Sequence, residues 1–133
     1  MKVWGKEVNK CEDCEYAFIN SYEDWECAKE PLKWGTSVDK YSIHKDCPFS
    51  KPITSEVIES YGFKLGFDRD EIIQYNWFHP NKKVYVLKLN RLTNIYEIVE
   101  ERGLLEDLVY MYLGKINNPV ELEFILKSLG IVE

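Results

Sequence analysis

The segment EIIQYNWFHPNKKVYVLKLNRLTNIYEIVEE, residues 71–101, consists of three apolar runs separated by two polar turns. In the first run apolar side chains recur at every second position, so that Ile73, Tyr75 and Trp77 fall on one side of the chain. That period is typical of a β-strand with one buried face. The sequences HPNKK and NRLTN between the runs contain residues that favour chain reversal. The segment therefore predicts three consecutive antiparallel strands.

Further strand-like runs lie on both sides of this segment. FKLGF at residues 63–67 precedes it, and LVYMYLGKI at residues 108–116 follows the loop RGLLED. A helix is the alternative for the last run, because LLEDLVYMYL also fits a helical pattern. We expect a meander of about four or five antiparallel strands.

A short helix is predicted before the meander. SEVIESY follows Thr54 and begins at Ser55, and either residue can cap a helix. Gly62 then supplies a left-handed stop.

A second helix is predicted at the C-terminal end. Asn118 is the expected cap, Pro119 takes the first helical position and Gly130 ends the helix. We expect its apolar stripe to pack on the sheet. The stripe consists of Val120, Leu122, Ile125, Leu126 and Leu129. Residues 53–133 are thus predicted to form an α+β domain, an antiparallel meander flanked by a short helix and a C-terminal helix.

All four cysteines lie within the first 47 residues. Cys11 and Cys14 form a C-x2-C pair, Cys27 follows after twelve residues, and Cys47 follows after nineteen more. The chain opens with charged residues and no apolar signal segment, so we expect a cytoplasmic protein. In a reducing compartment, clustered thiols bind metals more often than they form disulfides.

We predict that these cysteines form a four-cysteine metal site in a module spanning residues 1–52. A C-x2-C turn aims both sulfurs at one cation, and two further thiolates complete the tetrahedral shell of a structural zinc site. The runs YAFINS and DWECA predict two short strands that return Cys27 to the pair. Pro48 and Pro52 mark the end of the module.

Three alternatives stay open for the thiols. Cys27 and Cys47 could be small buried hydrophobic side chains beside an accidental pair. His44 could replace one thiolate in a site of three cysteines and one histidine, although a full set of four cysteines leaves it behind the ligands. A proline also follows the last cysteine of many iron–sulfur sites, so a [4Fe-4S] cluster is the alternative cofactor to Zn2+.

Two resemblances to known proteins accompany these patterns. CEDCEYAF...WECA...CPF, within residues 11–49, resembles small cysteine modules of phage proteins and of accessory subunits of glycyl radical enzymes. Some of those modules bind zinc and others carry a [4Fe-4S] cluster. GKINNPVELEFILKSLGI, after a strand meander, resembles the end of many small uncharacterised proteins from bacteriophages and mobile elements. The resemblance implies a phage or mobile-element source and lends no catalytic residues.

Catalytic signatures are sparse in the sequence. Its two histidines, His44 and His79, belong to no visible Ser/His/Asp arrangement, and there is no G-x-G-x-x-G or G-K-[ST] phosphate loop. A four-thiolate zinc also has no open position for a substrate. We therefore expect a binding protein. The weaker alternative is a small enzyme acting on a nucleotide, with His79, Tyr75 and an acidic partner in a cleft.

Charge narrows the kind of partner. The formal net charge is −6, with ten acids against eight bases in residues 1–52 and thirteen against nine in residues 53–133. No basic run is longer than NKK, so we expect no direct DNA binding. No run of roughly 18 apolar residues exists to cross a membrane.

An acidic chain of this size fits a protein partner with a basic surface. Our leading hypothesis is a phage or mobile-element factor that inhibits a bacterial defence system, as anti-CRISPR proteins do, by occupying the nucleic-acid-binding surface of a nuclease. The surface acids expected to matter include Glu100, Glu101, Glu106 and Asp107. The rival hypothesis is an iron–sulfur accessory subunit or redox protein.

Overall fold

The computed structural model describes most of the chain, and its secondary structure mixes short helices with antiparallel strands. The described residues are 1–29, 36–39, 41–45, 47–102 and 108–133. The predicted combination of helices with antiparallel sheets, ending in a C-terminal helix, is confirmed.

The chain divides into two compact units. The first consists of Met1–Pro52 and Asn117–Phe124, and the second of Ile53–Ile116 and Ile125–Glu133. The division after Pro52 falls where the sequence changes composition, whereas the first part of the C-terminal helix groups with the N-terminal unit. Independent folding of domains 1–52 and 53–133 stays a prediction.

Short strands and turns make up the first unit. The strands described there are β1 (Lys2–Val3), β2 (Lys6–Glu7), β3 (Ala17–Ile19), β4 (Trp25–Cys27) and β5 (Thr36–Ser37), and the described 3-10 turns are Cys11–Asp13 and Pro48–Ser50. β1 pairs with β2, and β3, β4 and β5 form an antiparallel sheet in that order. The two strands predicted from YAFINS and DWECA are therefore confirmed as β3 and β4.

Among the described residues of the first unit, two small clusters are buried. One contains Val3, Val8, Cys47 and Phe49, and the other contains Cys11, Cys27 and Val38. Tyr16 packs against both clusters, and its ring stacks on that of Phe49 with centroids 5.4 Å apart. With so few aliphatic side chains, cysteine supplies nearly half of the residues named in these clusters. A core this small gives limited stability without a covalent or metal cross-link.

The second unit is a five-stranded antiparallel meander with helical elements. The elements are α1 (Ser55–Ser60), β6 (Lys64–Arg69), β7 (Ile72–Phe78), β8 (Val84–Asn90), β9 (Ile95–Glu101) and β10 (Leu108–Lys115). The strands follow one another in the order β10-β9-β8-β7-β6. The meander is therefore confirmed, and Leu108–Lys115 is a strand, not a helix. The predicted loop RGLLED lies outside the described residues except for Arg102.

Alternation places the large apolar side chains of the meander on one buried face. Tyr75 of β7 is the register partner of Leu87 of β8, which in turn is the partner of Ile98 of β9. All three side chains are buried, as is Ile73, and Trp77 is half-buried. The period-two pattern read from residues 71–101 identified this face correctly.

Helix α1 begins and ends at the predicted signals. The hydroxyl of Thr54 accepts a hydrogen bond from the N–H of Val57 at 3.3 Å, so Thr54 is the cap. Ser55, the alternative cap, shares a hydrogen bond of 2.6 Å with the hydroxyl of Tyr75 instead. The chain then turns at Gly62, where φ is +123°.

The C-terminal helix α2 (Pro119–Ser128) also has the predicted ends. The side-chain oxygen of Asn118 accepts the N–H of Glu121 at 3.0 Å, and the Glu121 carboxylate accepts the Asn118 amide in return. At the other end Gly130 has φ +75°, and Ile131 N–H donates to the carbonyl of Leu126 at 3.0 Å. This 6→1 bond is the Schellman arrangement that ends many helices.

The expectation that the whole α2 stripe packs on the sheet is wrong for its first turns. Val120 packs against the Val3 and Phe49 cluster of the first unit. The amide of Asn118 donates to the carbonyl of Lys2 at 3.0 Å, which fixes the start of the helix in that unit. The amphipathic pattern predicted burial, but it could not specify the surface that buries it.

The two described helices contain six and ten residues. In the part of the chain that the structure covers, no helix is long and apolar enough to cross a lipid bilayer.

Candidate functional site

Four cysteine side chains converge on one cavity in the first unit. Cys11, Cys14, Cys27 and Cys47 all line it, and its volume is about 10 Å³. The remaining wall is formed by Met1, Ala17, Ile43 and His44. The structure therefore brings together every cysteine predicted to be a ligand.

A 3-10 turn positions the first two thiols. Cys11 opens the turn, and the N–H of Cys14 donates to the Cys11 carbonyl at 3.0 Å. The Ala17 N–H then donates to the Cys14 carbonyl at 3.1 Å, so that the turn leads directly into β3. A tight turn of this kind lets two cysteines separated by two residues face the same space.

The other two thiols return to this turn through the sheet and a second turn. Cys27 ends β4 directly opposite Ala17 of β3. Cys47 precedes the turn Pro48–Ser50, and its N–H donates to the carbonyl of His44 at 3.0 Å. The N–H of Cys11 in turn donates to the carbonyl of Ser42 at 2.9 Å, which links the two cysteine-bearing segments.

Burial controls the protonation of the thiols. It raises the pKa of Cys11, Cys14 and Cys47 above the ordinary value, and the neighbouring cysteines raise each of them further. A backbone N–H from His44 lowers the pKa of Cys11 in part, and one from Tyr16 does the same for Cys14. Four adjacent thiolates would repel one another, so a cation among them is what would favour deprotonation.

Four cysteines line the cavity, but their side chains are not arranged as a metal coordination shell. Among the described residues, no group of three or more histidine, cysteine, aspartate or glutamate side chains is placed to hold a metal ion. The donor set and the cavity nevertheless fit a soft cation. Thiolates are preferred ligands of zinc and of iron–sulfur clusters.

No protein-family model matches the chain, and neither a curated protein nor a solved structure matches it. The proposals below therefore rest on this chain's own residues.

Two residues, His44 and Met1, were not expected to line this cavity. His44 was placed behind the cysteines, and it lies in the wall itself. Met1 carried no sequence signal for this position. Its amino group pairs with Glu7 at 2.9 Å and its carbonyl accepts the N–H of Val8 at 2.8 Å, which holds the N-terminus there.

The residues of the enzyme alternative are engaged within the fold. His79 Nε2–H donates to the carbonyl of Ile131 at 2.9 Å, and Nδ1 accepts the N–H of Asn81 at 3.1 Å. A carbonyl only accepts and a backbone N–H only donates, so these bonds specify the neutral Nε2–H tautomer. The hydroxyl of Tyr75 is likewise bonded to Ser55. Both side chains therefore have hydrogen-bond partners within the fold.

One of the expected surface acids is not on the surface. Glu100 is only 2% exposed, and its carboxylate lies 3.2 Å from Arg102 Nε and 3.4 Å from Lys83 Nζ. The hydrogen bond from Arg102, and then Lys83, hold the pKa of Glu100 below its ordinary value. Glu101 is exposed, and Glu106 and Asp107 lie outside the described residues.

Proposed function

We propose that the first unit is a zinc module in which Cys11, Cys14, Cys27 and Cys47 bind one Zn2+ as thiolates. The observation that carries the proposal is that all four side chains line one cavity. Tetrahedral Zn2+ takes four sulfurs at about 2.3 Å.

The size of the cavity favours a single ion. About 10 Å³ corresponds to roughly one water-sized sphere, whereas a [4Fe-4S] cluster adds four irons and four sulfides. The iron–sulfur accessory subunit or redox protein is therefore the second candidate.

The role of the zinc in this proposal is structural. The clusters around Val8 and Val38 are small, and a structural zinc can contribute on the order of 10 kcal/mol to folding. With four thiolates bound, the ion has no open position for water or substrate.

For the whole chain we propose a small, acidic protein-interaction factor of phage or mobile-element type that inhibits a bacterial defence system in the host cytoplasm. Its partner would be a basic, nucleic-acid-binding surface of a defence nuclease, without DNA binding or membrane association by this chain. The net charge of −6 supports this proposal. So do pairs of exposed acids on both units, Asp13 with Glu15 and Glu56 with Glu59.

The metal proposal is tested by purifying the chain anaerobically without chelators and measuring bound metals by mass spectrometry, together with an absorption spectrum. We expect one zinc per chain and a colourless solution. Cys14→Ser should lower the zinc content, whereas the control Ser37→Ala, which changes an exposed side chain of the same unit, should leave it unchanged. If the chain instead contained iron with labile sulfide and absorbed visible light, the iron–sulfur alternative would be supported and the zinc proposal rejected.

The inhibitor proposal is tested by expressing the chain in bacteria that carry a defined CRISPR–Cas system and counting transformants of a targeted and a non-targeted plasmid. If the chain inhibits the CRISPR–Cas system, the number of transformants should rise for the targeted plasmid and stay the same for the non-targeted plasmid. Two double variants replace an acidic pair by lysine, one at Glu56 and Glu59 and the other at Asp13 and Glu15. At least one of them should inhibit less than the wild type, whereas the control Lys6→Glu should inhibit as well as the wild type. Zinc binding without inhibition across the tested systems would reject this function and retain the zinc module.

A further inference from the structure

The two faces of the five-stranded sheet differ in exposure. The face that carries Tyr75 and Leu87 is buried. The opposite face buries Val86 and Val99 at its centre and exposes large apolar side chains around them. On that open face Phe78 is 80%, Leu113 72% and Tyr110 67% exposed. An antiparallel sheet commonly combines a buried face with a polar one. Large apolar side chains exposed on the second face are typical of interaction surfaces.

A pair of opposite charges lies at the centre of the open face. Lys88 of β8 and Glu97 of β9 are direct cross-strand partners, and both are half-buried. Neither side chain forms an ion pair or a hydrogen bond with any residue that the structure describes. Partly desolvated charges without partners are costly, so both are suited to a surface that supplies the opposite charge.

Both charges open into a shallow groove of about 290 Å³. Ile72, Ile95 and Leu113 form its apolar walls. The groove gives room for further long side chains beside Lys88 and Glu97, which a flat sheet surface would exclude.

We propose that this open face is the interface of a symmetric homodimer, with a second copy of the chain as its occupant. Consider a two-fold axis that runs along the strands between β8 and β9. Under this rotation β8 of one copy lies over β9 of the partner. Each β8 residue therefore faces the partner's version of the β9 residue with which it pairs in its own sheet. Lys88 then meets the partner's Glu97 while Glu97 meets the partner's Lys88. The face is thus complementary in charge to itself.

The same axis matches the apolar end of the face. It exchanges β7 with β10, and the register row that begins at Phe78 ends at Leu108. Phe78 therefore packs over the partner's Leu108, and Asn76 faces the partner's Tyr110. Apolar burial supplies most of the affinity in such an interface, and the reciprocal ion pairs set its register.

The area of the face is sufficient for a reversible dimer. Strands β7 to β10 cover about 20 Å by 25 Å at the usual strand spacing and rise per residue. Val86 and Val99 on this face are already buried within one chain, so the exposed side chains around them supply the contact. The interface thus buries at most about 500 Å² per copy and about 1,000 Å² in total, which is the lower end of specific interfaces. A dimer that dissociates on dilution follows from this size.

The test is sedimentation velocity of the full chain from about 1 to 500 µM, a range that brackets the affinity of a small interface. The mass should rise from the 15.8 kDa of one chain to twice that value. Lys88→Glu and Glu97→Lys should each give a monomer, because each opposes like charges across the axis. Phe78→Ser changes an exposed side chain, leaves the fold intact and should also give a monomer.

Mixing the two charge variants distinguishes contacts between copies from contacts within one. A heterodimer of Lys88→Glu with Glu97→Lys has opposite charges at both intermolecular pairs, while each chain keeps like charges on its own neighbouring strands. The mixture should therefore regain the dimer mass. The control Lys82→Glu makes the same charge change in the turn before β8 and should remain dimeric.

Three results would overturn the proposal. They are a wild-type chain that is monomeric at the highest concentration, folded charge variants that remain dimeric, and a mixture that remains monomeric. The first would assign the open face to a different kind of partner.

Discussion

At Gly62 the backbone has φ +123°, a conformation that residues with a Cβ rarely adopt. A Cβ placed there would lie 2.5 Å from Trp77 Cε2. Gly62→Ala therefore adds a steric clash to backbone strain, and we expect a loss of about 2–4 kcal/mol in the free energy of unfolding, measured by urea denaturation.

Gly130→Ala is the matched control for that substitution. Gly130 also has positive φ, +75°, but no atom lies within 4 Å of the added Cβ. It should cost about 1 kcal/mol from the backbone alone. Equal losses at Gly62 and Gly130 would show that contact with Trp77 contributes nothing.

Tyr96 provides a prediction about alkaline stability. Burial raises its pKa to about 12, because the phenolate is poorly solvated inside the second unit. The pKa of Tyr96 in the folded chain lies above the ordinary value of 10. The neutral phenol therefore contributes its full stabilisation of the fold below pH 10, and that stabilisation is lost as the pH rises toward 12. As the pH rises from 9 to about 12, the free energy of unfolding of Tyr96→Phe should therefore fall by about 1–3 kcal/mol less than that of the wild type.

The measurement is urea denaturation across that pH range. Tyr110→Phe is the control, because it removes the same hydroxyl from a side chain that is largely exposed. Identical pH profiles for the wild type and Tyr96→Phe would contradict the prediction.

At the scale of the element, helix α2 depends on a cap that also has a long-range contact. Asn118 is fully buried, accepts the N–H of Glu121 and donates to the carbonyl of Lys2. Asn118→Ala removes these two bonds and the one from its amide to the Glu121 carboxylate. It leaves buried groups unpaired, so we expect a loss of about 2–3 kcal/mol.

The exposed neighbour Asn117 offers a control for this substitution. Its backbone N–H donates to Glu121 at 3.1 Å, and that bond survives in Asn117→Ala. We expect a cost below about 0.5 kcal/mol there, measured by thermal unfolding. A loss at Asn118→Ala as small as this would mean that the side-chain bonds of Asn118 add little.

At the scale of the whole molecule, the proposed zinc should stabilise the first unit selectively. The four cysteines all belong to that unit, whereas the second unit has its own apolar sheet core. A chelator should therefore increase amide hydrogen exchange in residues 1–52 by several orders of magnitude, and in β7 to β9 much less.

Hydrogen exchange of the full chain, followed by mass spectrometry, measures both regions in one sample. The same chelator saturated with zinc is the control. Unchanged protection in residues 1–52 after removal of the bound metal would contradict a structural role for zinc.

Signals that act over a few residues were sufficient to predict most elements. The alternation around Tyr75 defined a strand and its buried face, and Asn118 and Gly130 defined the ends of α2. These patterns are informative because strand and helix periods and backbone caps are local properties of the chain. The C-x2-C pair was recognisable for the same reason, since one turn determines where both sulfurs lie.

Other features depended on residues far apart in the sequence. Val120 packs in the first unit, and Glu100 is buried beside Lys83 and Arg102. The amphipathic pattern of α2 led us to expect that Val120 packs on the sheet, and adjacent acids at Glu100 predicted solvent exposure. Neither error could be corrected from local pattern, because the partners are brought together only by the fold.

The sequence by itself determined the strands of the meander, the helix ends and the four thiols, since each follows from spacing along the chain. Only the tertiary structure decided that Cys27 and Cys47 share a cavity with the C-x2-C pair, and that Lys88 and Glu97 lie side by side on one face of the sheet. The physical reason is that register and turn geometry fix which distant side chains become neighbours, and those depend on packing of the whole chain.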